Sequence, residues 1–178
     1  GKAHIYGYVG EATDLVIDTV CGYPVVEICN AAFMNKTSLR NVVIGNSVER
    51  IGERAFDGCY AIHSVTLGTA LKEILGESFN AAFYGSYPYM IINNSDLDIT
   101  FSSGDKFGRV ASSARIIKSK GIESYLDGGF VIENGVYKDY VGEGKPCPYM
   151  FLYFIIFSFI LSKYSFFSYW WLFIHCFS

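Results

Sequence analysis

A solenoid, mainly of β-strands joined by short turns in 23-residue coils, is the fold class that this sequence predicts. Two observations carry the prediction. Over residues 25–79 one apolar pattern is written three times. Val25, Val48 and Leu71 begin it, Ile28, Ile51 and Ile74 follow, and Ala32-Phe33, Ala55-Phe56 and Ser78-Phe79 mark the same later point. In addition, Leu39, Val42 and Ile44 are answered 23 residues on by Ile62, Val65 and Leu67. A unit of this length is too small to bury its own apolar face, so it stacks on its neighbours.

In chain order, residues 4–9 alternate and carry aromatic side chains, which predicts a strand. Residues 10–13 form a turn, residues 14–17 a second strand, and Cys21-Gly22-Tyr23-Pro24 turns the chain into the repeats. Each repeat then has two apolar pieces. In Leu39-x-x-Val42-x-Ile44 and Ile62-x-x-Val65-x-Leu67 the last positions alternate, so Val42 and Ile44 face inward while Asn41 and Val43 face out. The second piece, Val48-x-x-Ile51-Gly52-x-x-Ala55-Phe56, runs along the opposite side. A small residue at Ala55 lets neighbouring coils approach, and a column of phenylalanines at Phe56 and its equivalents fills the space between them. Gly45 and Gly68 are expected to permit the corner.

The stretch from Ser38 to Cys59, S-L-x-x-V-x-I-G-N-S-V-x-x-I-G-x-x-A-F-x-G-C, resembles the BspA-type leucine-rich repeats of surface proteins. The resemblance covers residues 25–79, with one nearly consensus copy between two weaker ones. It implies a leucine-rich-repeat solenoid. The asparagine of commoner leucine-rich repeats is replaced by Ser47, with Asn46 beside it, so a continuous asparagine ladder is not predicted.

After Phe79 the register is lost, although Phe83 offers a competing Ala-Phe pair four residues late. Residues 90–92 and Leu97-x-Ile99-x-Phe101 are expected to close the stack, since terminal repeats are commonly atypical. Phe107, Val110, Ala111, Ala114 and Ile117 have helical spacing, which predicts an amphipathic helix over residues 107–118 with a stop at Gly121. The resemblance points the same way: in such proteins a block of repeats is followed by a G-x-V-A-x-x-A helix, which Gly108 to Ala114 matches. Asn134-Gly135 between two apolar runs predicts a β-hairpin, because a type I′ turn needs positive φ at both central residues. Tyr140-Val141-Gly142-Glu143 echoes Tyr8-Val9-Gly10-Glu11. The N-terminus is accordingly expected to be the second strand of another such hairpin.

The predicted organisation is a solenoid with N-terminal strands over 1–101, a helix and β-hairpin over 102–145, and a hydrophobic segment over 146–178. That last segment is crowded with Phe, Tyr and Trp, and it has three readings. It is long enough for a transmembrane helix over residues 149–174; it has the composition of an out-of-frame translation of A/T-rich DNA; or it is a packed soluble element. The absence of an initiator methionine and of a signal-peptide pattern predicts an internal fragment or a processed chain.

Charged residues make up 17% of the chain and the net charge is −3, so the clustered basic face of a nucleic-acid partner is not expected. The five cysteines have no C-x-x-C spacing and the three histidines are far apart; no metal or cofactor site is predicted. Cys29 and Cys59 read as small buried hydrophobes. Gly142-Glu143-Gly144-Lys145 lacks the remaining residues of a phosphate loop and reads as a turn. Asp96 and Asp98 read as a solvated pair. Asn35-Lys36-Thr37 and Asn93-Asn94-Ser95 are glycosylation sequons, relevant only in a secreted eukaryotic protein. No catalytic arrangement can be assembled, and an enzyme is not expected.

What remains is a binding module whose outward strand residues, Arg40, Asn41, Val43, His63, Ser64 and Thr66, would line a broad face. The resemblance implies a cell-surface or secreted protein that adheres to a protein or extracellular-matrix ligand. A structural spacer with a C-terminal membrane anchor is the alternative.

Overall fold

The computed structural model describes residues 1–103 and 106–141. The chain divides into Gly1–Val141 and Gly142–Ser178, and the description concerns the first unit. The hydrophobic segment from residue 146 and the Gly142–Lys145 turn fall outside the described residues.

Among the described residues thirteen strands follow one another: β1 (Ala3–Ile5), β2 (Asp14–Ile17), β3 (Thr19–Val20), β4 (Tyr23–Ile28), β5 (Asn41–Ile44), β6 (Arg50–Ile51), β7 (Ser64–Leu67), β8 (Glu73–Ile74), β9 (Met90–Asn93), β10 (Ile116–Ser119), β11 (Ile122–Asp127), β12 (Phe130–Glu133) and β13 (Val136–Tyr140). The longer sheet has the order β13-β12-β11-β10-β9-β7-β5-β2, and the shorter one β1-β4-β6-β8 with β3 beside β4. From β2 to β10 the long sheet is parallel, in a register that aligns Asp14, Asn41, Ser64, Met90 and Ile116. The chain therefore winds as a solenoid.

The inward positions form the core. Leu39, Val42, Ile44, Val48, Ile51, Ala55, Phe56, Ile62, Val65 and Leu67 are all buried, as the repeat predicts. Between the sheets runs an aromatic column: Tyr8 on Phe33 at 5.3 Å, Phe33 on Phe56 at 5.1 Å, and Phe56 on Phe83 at 5.0 Å between ring centroids. Each such pair contributes about 0.5–1.5 kcal/mol beyond the area it buries.

Phe83, not Phe79, completes this column. Phe79 is 75% exposed and meets the edge of Tyr84, whereas Ala82 and Phe83 occupy the places of Ala55 and Phe56. Backbone bonds fix the choice: Phe33 N–H donates to the Ala55 carbonyl and Phe56 N–H to the Ala82 carbonyl. The four extra residues loop out between Leu75 and Ala82, where Ala82 N–H closes on the Leu75 carbonyl. At the strictly periodic position stands Ser78, but the close approach there requires the alanine found four residues later.

The stack does not close at residues 97–101. Phe101–Ser103 is a single 3-10 turn, and the parallel sheet goes on through β9 to β10. The amphipathic helix over 107–118 is absent. Phe107, Gly108 and Arg109 all have positive φ, near 52°, 55° and 63°, which stops a right-handed helix before it starts. Val110, Ala111, Ala114 and Ile117 are buried all the same. They supply one more coil, in which turns bury the first three and β10 the fourth, so helical spacing and coil spacing coincide.

The Asn134-Gly135 hairpin is present between β12 and β13, with φ of 48° and 78°. Two further two-residue turns of the same kind, Lys120-Gly121 and Gly128-Gly129, join β10 to β11 and β11 to β12. Gly121 thus belongs to a hairpin instead of ending a helix. The N-terminus is no half-hairpin either: β1 runs parallel to β4 and β2 parallel to β5, so residues 3–17 form the first coil. Gly68 is needed for close approach, since a Cβ there would lie 2.2 Å from the Gly45 carbonyl oxygen. Its φ is not positive, so the corner itself makes no demand for glycine.

Candidate protein-interaction face

Alternation along β2, β5, β7, β9 and β10 turns every second side chain outward, and parallel pairing lines these side chains up in rows. One row reads Asp14, Asn41, Ser64, Met90, Ile116; the next reads Val16, Val43, Thr66, Ile92, Lys118. Just before the strands, Arg40, His63, Tyr89 and Arg115 stand at the same rim. At a strand spacing of about 4.8 Å, the rows run about 19 Å across the sheet.

The fold brings all six sequence-nominated residues onto this face. Asn41, Val43, Ser64 and Thr66 lie on β5 and β7, with Arg40 and His63 immediately before them. Their chemistry is uneven. Ser64 Oγ donates to Asn41 Oδ1 at 2.7 Å, and Asn41 Nδ2 donates to Asp14 Oδ1 at 2.5 Å. The first row therefore begins as a hydrogen-bonded relay whose polar groups already serve one another. His63 stacks on Tyr89 at 5.2 Å, with the rings within 7° of parallel. Val16, 68% exposed, Val43, Met90, Ile92 and Ile116 add apolar surface that the nomination largely missed. Beside the rim, Tyr89, Arg115, Ile116, Glu123 and Tyr125 line an open groove of about 530 Å³.

The outward side of the short sheet is different in kind. Glu27 accepts from His4 Nδ1 at 2.8 Å and from Arg50 Nη1 at 3.1 Å, and Arg50 Nε reaches Glu73 at 3.3 Å. Beside this line, Glu49 pairs with Lys72 at 2.5 Å and Lys2 at 3.6 Å, and those partners hold its carboxyl below the ordinary range. Charges of alternating sign thus sit on successive coils. The signal was readable, since Glu27, Arg50 and Glu73 stand 23 residues apart.

Of the two cysteines expected to be buried, Cys59 is. Its thiol points at the Phe33 carbonyl 3.0 Å away, and burial pushes its pKa up to about 11. Cys29 is half-buried on the short sheet's outward side; burial and the Glu27 carboxylate raise its pKa, while Arg50 opposes them. Asp96 and Asp98 are exposed, as a solvated pair should be. Asn93 is fully buried, bonding through Nδ2 to the Leu97 carbonyl and through Oδ1 to Ser95, so this sequon cannot carry a glycan in the folded chain. Asn46 Oδ1 accepts from Thr69 N–H on the next coil, a single link and not a ladder.

Parallel strands, inward aliphatic rows and an aromatic column define the class, a leucine-rich-repeat solenoid. Comparison with known proteins agrees: the family described as BspA type leucine rich repeat region matches residues 22–103 in six copies. Over those residues the repeats of this chain match that family's pattern. Among solved structures, the chain is similar to the crystal structure of a T. pallidum leucine rich repeat protein, TpLRR. Identity is 26% and the TM-score 0.43, over 65% of this chain and 55% of that one, so this chain spans only about half the other's length. No curated protein matches the chain. Leucine-rich repeats generally mediate protein–protein interaction and are typically non-enzymatic, and BspA-like proteins are typically surface or secreted. Among the described residues, no helix is long and apolar enough to cross a membrane.

Proposed function

We propose that this chain is an adhesion module of a cell-surface or secreted protein, binding a protein or extracellular-matrix ligand through the outward face of its long sheet. The carrying observation is the contrast between the two outward faces. The short sheet's charges are paired with one another, whereas the long sheet presents Val16, Val43, Ile92 and the His63–Tyr89 stack to solvent. Exposed apolar surface rimmed by polar side chains marks interaction sites. Asn41 and Ser64 hold the face in register, and Arg40, Val43, His63 and Thr66 do the contacting.

The triple variant Val43→Glu, Thr66→Lys, Ile92→Glu tests this, with Arg50→Ala on the other face as control. Adhesion to matrix-coated or cell-coated surfaces is expected to fall at least ~10-fold in the triple variant, as for loss of central contacts. It should be unchanged in the control. Unchanged adhesion with an unchanged melting temperature would overturn the binding face and leave a structural spacer.

A further inference from the structure

We infer that His4, Glu27 and Cys29 form a binding site for a zinc-class divalent cation on the outward side of the short sheet. Their ligand atoms, one imidazole nitrogen, one carboxylate oxygen and one sulfur, all lie within 4.8 Å of one another. Two features of the fold bring them together. Parallel pairing of β1 with β4 sets His4 directly opposite Glu27. Alternation then puts Cys29, two residues beyond Glu27, on the same outward face. Sequence spacing alone hides this set, because two ligands come from one coil and the third from another.

The donor set selects the metal. A thiolate and an imidazole favour zinc over calcium or magnesium, which take oxygen ligands. Zinc bonds of about 2.0–2.3 Å place tetrahedral ligand atoms roughly 3.3–3.8 Å apart, so the widest separation must close by about 1 Å while the 2.8 Å His4–Glu27 pair opens by about 0.5 Å. Rotation of the Cys29 and Glu27 side chains supplies that, since both are only partly buried. Arg50 holds the other carboxylate oxygen, Oε1, at 3.1 Å and orients Glu27, while Oε2 faces His4 Nδ1 at 2.8 Å. The cation would enter between Nδ1 and Oε2, where a proton now lies. That proton shifts to Nε2, the Cys29 thiol gives its own to solvent, and water fills the fourth position. This site is separate from the proposed binding face and does not depend on it.

Cobalt(II) is the probe, titrated into the full chain and followed by its thiolate charge-transfer absorption, with zinc competing it away. One equivalent is expected to bind with that band. Cys29→Ser should abolish the band, His4→Gln should weaken binding at least ~10-fold, and Cys21→Ser should change neither. All three side chains face outward, so metal-free melting temperatures should be unaltered. No band in the parent chain, or a band that survives Cys29→Ser, would overturn the site.

Discussion

The centre of the solenoid, through β8, and the coils after it solve the same packing problem with different means. In the centre each coil repeats at 23 residues, and Val42, Val65, Ile44 and Leu67 sit in matched, fully buried rows. From Ser64 to Met90 and from Met90 to Ile116 the step is 26 residues. There the inward row of Ile44 and Leu67 continues as Asn93, which is buried and bonded to Leu97, Ser95 and Ser119. Ser86, absent from the regular coils, ties its own coil to the regular one before it: its Oγ accepts from Cys59 N–H at 3.1 Å and donates to the Phe56 carbonyl. Apolar rows need only shape and a period. Coils of irregular length expose backbone groups that buried polar side chains must satisfy.

The largest test of this comparison is the aromatic column, which crosses from one region into the other. Phe56→Ala and Phe83→Ala should each destabilise by about 3–5 kcal/mol in denaturant unfolding, because each leaves a cavity between coils. Phe79→Ala should lie within about 0.5 kcal/mol of the parent, as for an exposed site. Large losses at Phe79 and small ones at Phe83 would reinstate the strictly periodic register. Of intermediate size is Ser86→Ala, expected to destabilise by about 0.5–1.5 kcal/mol because it removes the Oγ bridge while the Cys59 N–H keeps its bond to the Phe56 carbonyl. A neutral result would mean that the irregular coils do not rely on buried polar bridges. A similarly small effect belongs to the surface of the regular coils. Arg50→Ala removes two exposed ion pairs and should change stability by about 1 kcal/mol or less, less still in high salt.

Much of this was legible in residues alone. Alternation in Asn41-Val42-Val43-Ile44 sorted inward from outward correctly, and the six nominated face residues do share one surface. Asn134-Gly135 specified its turn because the conformation it needs is local. Legibility ended where pairing partners mattered. That Asn41 and Ser64 bond to each other, and Asn41 to Asp14, depends on the register of three strands. That His4, Glu27 and Cys29 converge depends on β1 lying parallel to β4, whereas the echo of Tyr8-Val9-Gly10-Glu11 in Tyr140-Val141-Gly142-Glu143 pointed to a hairpin.

By itself, then, the sequence determined the solenoid, the coil length at its centre, the inward rows and the type I′ turn, all properties of periodicity or of two adjacent residues. Only the tertiary structure decided that Phe83 enters the column in place of Phe79, that residues 107–118 make a coil and not a helix, and that the stack runs on to β10. The reason is physical. An apolar spacing states which side chains must be buried, but a helix face and a solenoid coil bury the same set. Contact with the coil before, through the close approach at Ala82 and the backbone bond from Phe83 to Gly108, selects between them.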